Sequence, residues 1–122
     1  MTISITDKSI AELGAYQEAG ALVFGVNLVQ GEPFDSLIFQ IEIKDSSQRE
    51  DEWGMYVEIN GRGSYGRVSA FNFDVSANLL QVLLADAKQD GQTRLLIDVS
   101  RLNADEQEIL TTMAEEFKQY PA

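Results

Sequence analysis

Residues 60–68 read NGRGSYGRV, and the fold turns on how that stretch is read. Gly61, Gly63, Gly66 and Val68 spell G-x-G-x-x-G-x-V, the string found in the phosphate loops of dinucleotide-binding domains and protein kinases. In a dinucleotide-binding unit the string comes after a strand and opens a helix, whose N-terminus holds the pyrophosphate. A strand pattern does precede it, WGMYVEI at 53–59. On its C-terminal side, however, stands RVSAFNFDV, which carries no helix signal. A kinase loop joins two antiparallel strands, but a kinase also needs a Lys on the next strand, a His-Arg-Asp loop and an Asp-Phe-Gly metal site. No Lys lies between Lys44 and Lys88, and the chain has neither His nor Asp-Phe-Gly. Asn60-Gly61 between alternating runs predicts instead a two-residue type I′ hairpin turn, with the other glycines permitting positive φ or a bulge. The stretch reads as a turn in an antiparallel sheet rather than a phosphate cradle.

The flanking sequence agrees. In ALVFGVNLV (21–29), Leu22, Phe24, Val26 and Leu28 share one face; QGEPFD (30–35) is a turn. In SLIFQIEIK (36–44), Leu37, Phe39, Ile41 and Ile43 oppose Gln40, Glu42 and Lys44, the pattern of a half-buried antiparallel strand. After a polar loop, DSSQREDE (45–52), Trp53, Met55, Val57 and Ile59 line one side of the next strand, with Tyr56 and Glu58 on the other. YGRVSAFNFDV (65–75) has mixed parity, since Val68 and Ala70 oppose Phe71 and Phe73; a bulge or burial on both faces would produce this. NLLQVLLA (78–85) and TRLLIDVS (93–100) bring the total to about six strands, with DAKQDGQ (86–92) as a loop or one helical turn.

The two ends differ in clarity. Residues 2–20 support two readings. Ser9 and Glu12 fit a capping box, Ile10, Leu13 and Tyr16 fall at helical spacing, and Gly20 would stop that helix; a short strand at Thr2–Ile5 fits as well. Near the C-terminus, Asn103 caps a helix over 103–118, with Glu106 three residues on for a capping box and Asp105 adding favourable charge. Ile109, Leu110, Met113 and Phe117 form its apolar stripe, and Pro121 lies beyond its end. The expectation is a single α+β domain over residues 1–122: an antiparallel, meander-like sheet with a C-terminal helix packed on one face.

Composition narrows the chemistry. At 122 residues with 44% hydrophobic and 24% charged residues, the chain can bury a core without staples. The absence of Cys excludes disulfides and thiolate metal sites, and the absence of His excludes Ser-His-Asp and Cys-His catalysis. Two-carboxylate chemistry stays open, but no pair is singled out. The net charge is −11, divided as −8 over residues 1–60 and −3 over residues 61–122. Such a field repels nucleic acid and anionic membrane and speeds encounter with a basic partner. The N-terminus lacks a Sec signal pattern, and no apolar run approaches the roughly 18–20 residues of a membrane span. A cytoplasmic protein with no cofactor and no metal is expected.

Three features stand out as candidate sites. Asp45 with Arg49–Glu52 lacks the pattern of a calcium loop and reads as a solvated, partner-facing loop. Among the aromatic residues beyond that loop, Trp53 has core parity, whereas Tyr56 and Tyr65 are candidates for exposed interface anchors. Arg62 and Arg67 form a basic island in an acidic protein, either paired with nearby carboxylates or presented to a partner.

The string EDEWGMYVEINGRGSYGRV (50–68) resembles the immunity protein 10 family of bacterial polymorphic toxin systems. Gly54-Met55, the acidic loop before them and Tyr65-Gly66 match the family pattern; LLQVLLADA looks like its apolar strand and DEQEILTTMAEEF like its closing helix. The likeness covers roughly residues 20–118. Trp53 stands where Leu is usual, and Arg67 where a second Gly is usual. The resemblance implies a non-enzymatic binding protein that neutralises a cognate toxin by occluding its functional surface, and carries over no catalytic residue. An acidic protein suits a basic toxin. The expected binding residues are Asp45, Glu50, Asp51, Glu52, Tyr56, Arg62, Tyr65 and Arg67. The alternatives are a small carboxylate-dependent enzyme and a ligand-sensing module; exposed sheet edges are also compatible with a homodimer.

Overall fold

The computed structural model describes residues 1–43, 54–85 and 91–120. The hairpin at its centre forms as the sequence predicts. β5 (Tyr56–Ile59) and β6 (Arg62–Tyr65) pair antiparallel around Asn60-Gly61, whose φ angles are +53° and +85°. Two successive positive φ values are what a type I′ turn requires. Asn60 also fastens this turn to the preceding one. Its Oδ1 accepts hydrogen bonds from the backbone N–H of Asp35 (2.7 Å) and Ser36 (3.2 Å), and its own N–H donates to the Ser36 carbonyl. Asn60→Ala is expected to cost about 2 kcal/mol in urea unfolding, combining left-handed strain with two lost hydrogen bonds. Asn60→Gly should recover about half, because it relieves the strain without restoring the bonds.

Nine strands and one α-helix are found among the described residues, so the α+β class holds while the strand count exceeds the expected six. The additional strands are β1 (Thr2–Ile5), β2 (Ile10–Glu18) and β6; β3 (Ala21–Leu28), β4 (Ser36–Glu42), β7 (Val68–Asp74), β8 (Leu79–Ala85) and β9 (Gln92–Asp98) complete the set. They form two sheets. One is a five-stranded antiparallel meander ordered β2-β3-β4-β5-β6; the other is ordered β1-β9-β8-β7, with β1 parallel to β9. The chain starts in the second sheet and enters the first through a 3-10 turn at Asp7–Ser9. It returns at Gly66, whose φ of +81° lets β6 and β7 follow one another in different sheets.

Residues 10–18 form a strand, not a helix. The register shifts between Ile10 and Glu12, so one extra residue enters β2. That bulge puts Ile10 and Leu13 on the same face, producing the three-residue spacing that mimics helical periodicity. Beyond it Ala15 is buried, while Glu12, Tyr16 and Glu18 are exposed, as is Gln17 near the strand end. A second bulge, between Val68 and Ala70, explains the mixed parity of β7 and lets both Val68 and Phe71 face the core.

The core is one cluster drawn from both sheets and the helix. At its centre Phe39 stacks on Phe24 (centroids 6.2 Å apart, 18°) and meets the edge of Phe71 across the sheets (5.8 Å, 62°). The helix α1 (Ala104–Lys118) buries Leu110, Met113 and Ala114 and touches β2, β3 and β4 of one sheet and β7 of the other. Its capping box is complete: the Asn103 side chain accepts from the Glu106 N–H (2.8 Å), and Glu106 Oε1 accepts from the Asn103 N–H (3.1 Å). Glu106 Oε2 also accepts from the Ala15 N–H on β2 (3.2 Å), satisfying a donor on that edge strand. At the other end, Tyr120 Oη donates to the Glu42 carbonyl (2.9 Å). Among the described residues, no helix is long and apolar enough to cross a membrane.

Candidate functional site

The strand alternation that fills the core leaves the opposite face of the five-stranded sheet to be occupied by other residues. Register places Tyr16, Val23, Gln40, Tyr56 and Tyr65 directly across from one another on successive strands. At about 4.8 Å per strand this row spans roughly 19 Å. The adjacent row is Gly14, Gly25, Ile38, Glu58 and Gly63. Glu12 pairs with Asn27 on one flank; on the other, Glu18 and Glu42 both pair with Ala21. The face therefore carries three tyrosines and four glutamates, with no Lys or Arg in any of these register positions.

The tyrosines are differently held. Tyr16 and Tyr65 lie on the two outer strands and are 52% and 47% exposed. Tyr56 is half-buried. Its ring lies over Gly63, where a Cβ would collide with the phenol. It also packs at 58° to Tyr65 with centroids 5.3 Å apart, and its Oη donates to Glu58 Oε2 (3.3 Å). Desolvation, followed by the neighbouring Glu58 carboxylate, raises the Tyr56 pKa above the usual phenol value. The neutral phenol is thus favoured in the folded state; this contribution is present below the ordinary phenol pKa and is lost as pH rises through the raised one. Glu58→Gln should lower the Tyr56 pKa in a titration followed by the NMR signals of its ring, without returning it to the ordinary value, because desolvation remains.

Between Tyr16 and Ile38 the paired glycines Gly14 and Gly25 leave a groove of about 240 Å³. Its lining is mostly apolar, with Val23 beside Tyr16 and with Glu12 and Asn27 at one end.

Of the expected binding residues, Tyr56 and Tyr65 are brought together on this face. Arg62 is not with them: it pairs with Ile59, on the opposite strand parity, and is exposed. Arg67 is half-buried, and among the described residues no carboxylate pairs with it. Its Nε donates to the Ala85 carbonyl (3.2 Å), while the Ala85 N–H donates to the Arg67 carbonyl (2.7 Å), so it ties β7 to β8. Asp45, Glu50, Asp51 and Glu52, like Trp53, lie outside the described residues. Sequence reasoning misses Tyr16, Glu12, Glu18 and the glycine pair. The signal available is the two-residue turn at Ala19-Gly20, which sets Gly14 opposite Gly25 and Tyr16 opposite Val23. Reading 10–18 as a helix hides it. Comparison with family models, curated proteins and solved structures gives no match.

Proposed function

We propose that this chain is a non-catalytic immunity-type protein, which docks on a basic toxin and covers its functional surface. The observation that carries this reading is the tyrosine row flanked by glutamates on the face of the five-stranded sheet opposite the core. Exposed tyrosines offer large contact area at low entropic cost, as interface anchors do. The surrounding carboxylates and the net charge of −11 would steer a basic surface toward them. The resemblance of residues 50–68 to the immunity protein 10 family supports the same reading. A carboxylate-dependent enzyme would need two convergent acids in one recess; among the described residues, the groove on this face is lined by a single carboxylate, Glu12.

The reading expects a toxin domain encoded beside this gene, and it is tested by co-expressing the chain with that domain. Protection of cell growth is expected. Unprotected growth arrest, with both proteins accumulating in soluble form, would overturn it.

A further inference from the structure

We infer that the Gly14–Gly25 groove is a binding site for a lysine side chain of the basic partner, with the aliphatic stem between Tyr16 and Ile38 and the ammonium at Glu12. The inference rests on the reading of the chain as a binder of a basic protein and deepens it.

Glycine in the interior of a strand weakens it, and its presence there often marks the close approach of another group. Gly63 has an internal reason, since the Tyr56 ring occupies the space a Cβ would need. Gly14 has a weaker one: its Cβ would stand 3.4 Å from Glu106 Oε2. Gly25 has none. A Cβ there would sit 3.9 Å from Ile38 Cγ1 and from the Leu37 carbonyl oxygen, ordinary contact distances, and its φ is not left-handed. Among the described residues, a side chain would fit at position 25.

Shape and charge then select the occupant. Tyr16, Val23 and Ile38 give apolar walls; Glu12 and Asn27 give a polar end. Glu12 is two residues along β2 from Gly14, which is about 7 Å of strand rise. A lysine matches this arrangement, because its methylene stem covers apolar surface while its ammonium reaches a carboxylate. Among the described residues, no Lys or Arg stands at the neighbouring register positions of these strands.

The test needs no toxin. The isotope-labelled full chain is titrated with acetyl-Gly-Lys-Gly-amide and followed by amide chemical shifts. Saturable shifts confined to the amides of Gly14, Tyr16, Val23 and Gly25 are expected. The norleucine peptide, which keeps the stem and removes the charge, should bind about tenfold more weakly, as should the lysine peptide on Glu12→Gln. Gly25→Leu should abolish the shifts while melting no lower than wild type. Glu12→Gln alters only an exposed carboxylate, so it keeps the test decisive if Gly25→Leu misfolds. Absent shifts in the wild type would overturn the inference. So would shifts spread over the acidic surface, or equal binding of the lysine and norleucine peptides. Failure here leaves the growth-protection experiment untouched, and failure of protection leaves this titration untouched.

Discussion

Phe39→Ala is expected to lower the unfolding free energy by about 4 kcal/mol, the middle of the range for removing a buried aromatic ring. Phe39 has no exposed surface. Its ring bridges the two sheets, stacked on Phe24 within its own sheet and edge-on to Phe71 in the other. Truncation removes the transfer contribution of the ring, opens a cavity between sheets held apart by other side chains, and strands both aromatic neighbours. Urea unfolding should show a lower midpoint with an unchanged m-value, because the surface exposed on unfolding is nearly the same. Phe39→Leu fills most of the volume and should cost about half as much. A double-mutant cycle between Phe39→Leu and Phe71→Leu should return a coupling of about 1 kcal/mol, reporting the edge-to-face contact itself. Additive effects would mean that the sheets are joined by general burial rather than by this pair.

The second large effect concerns binding. Tyr16→Ala and Tyr65→Ala should each weaken the complex with the toxin by about 2 kcal/mol, roughly thirtyfold, while changing stability little. Both rings are about half exposed on outer strands of the sheet, so their truncation leaves no internal cavity. Reversing Glu12, Glu18 and Glu58 to Lys takes the net charge from −11 to −5 and should act differently. Association should slow most at low ionic strength, and the dependence of affinity on salt should flatten. Calorimetry with stopped-flow kinetics separates the two: aromatic loss in the dissociation rate, charge loss in the association rate.

The antiparallel sheet is legible in the sequence where period two is clean. β3, β4, the β5–β6 turn and β8 come directly from alternation and from Asn60-Gly61. The closing helix comes from Asn103, Glu106 and its apolar stripe. Two bulges obscure the rest. Each adds one residue to a strand, and one residue is enough to turn a period of two into a spacing of three. At Ile10–Leu13 that spacing imitates a helix; at Val68–Phe71 it shows as conflicting parity. The division into two sheets is not legible, because the pairing of β1 with β9 joins residues more than ninety positions apart, and no local pattern records such a contact. The candidate face is half visible. Tyr56 and Tyr65 emerge with the hairpin, whereas Tyr16 and the glycine pair require β2 to be recognised as a strand. Arg67 has a contact that the sequence does not reveal: its Nε donates to the Ala85 carbonyl on the neighbouring strand.

The central claim, that this face of the five-stranded sheet neutralises a basic toxin, is tested most directly by growth protection with matched variants. Cells expressing the toxin domain that the proposal expects beside this gene are complemented with wild type, with Tyr16→Ala/Tyr65→Ala, or with Leu83→Ser as a control on the other sheet. Soluble expression is checked for each. Protection by wild type and by the control, with loss of protection by the double tyrosine variant, is the predicted result; equal protection by the double tyrosine variant would contradict it.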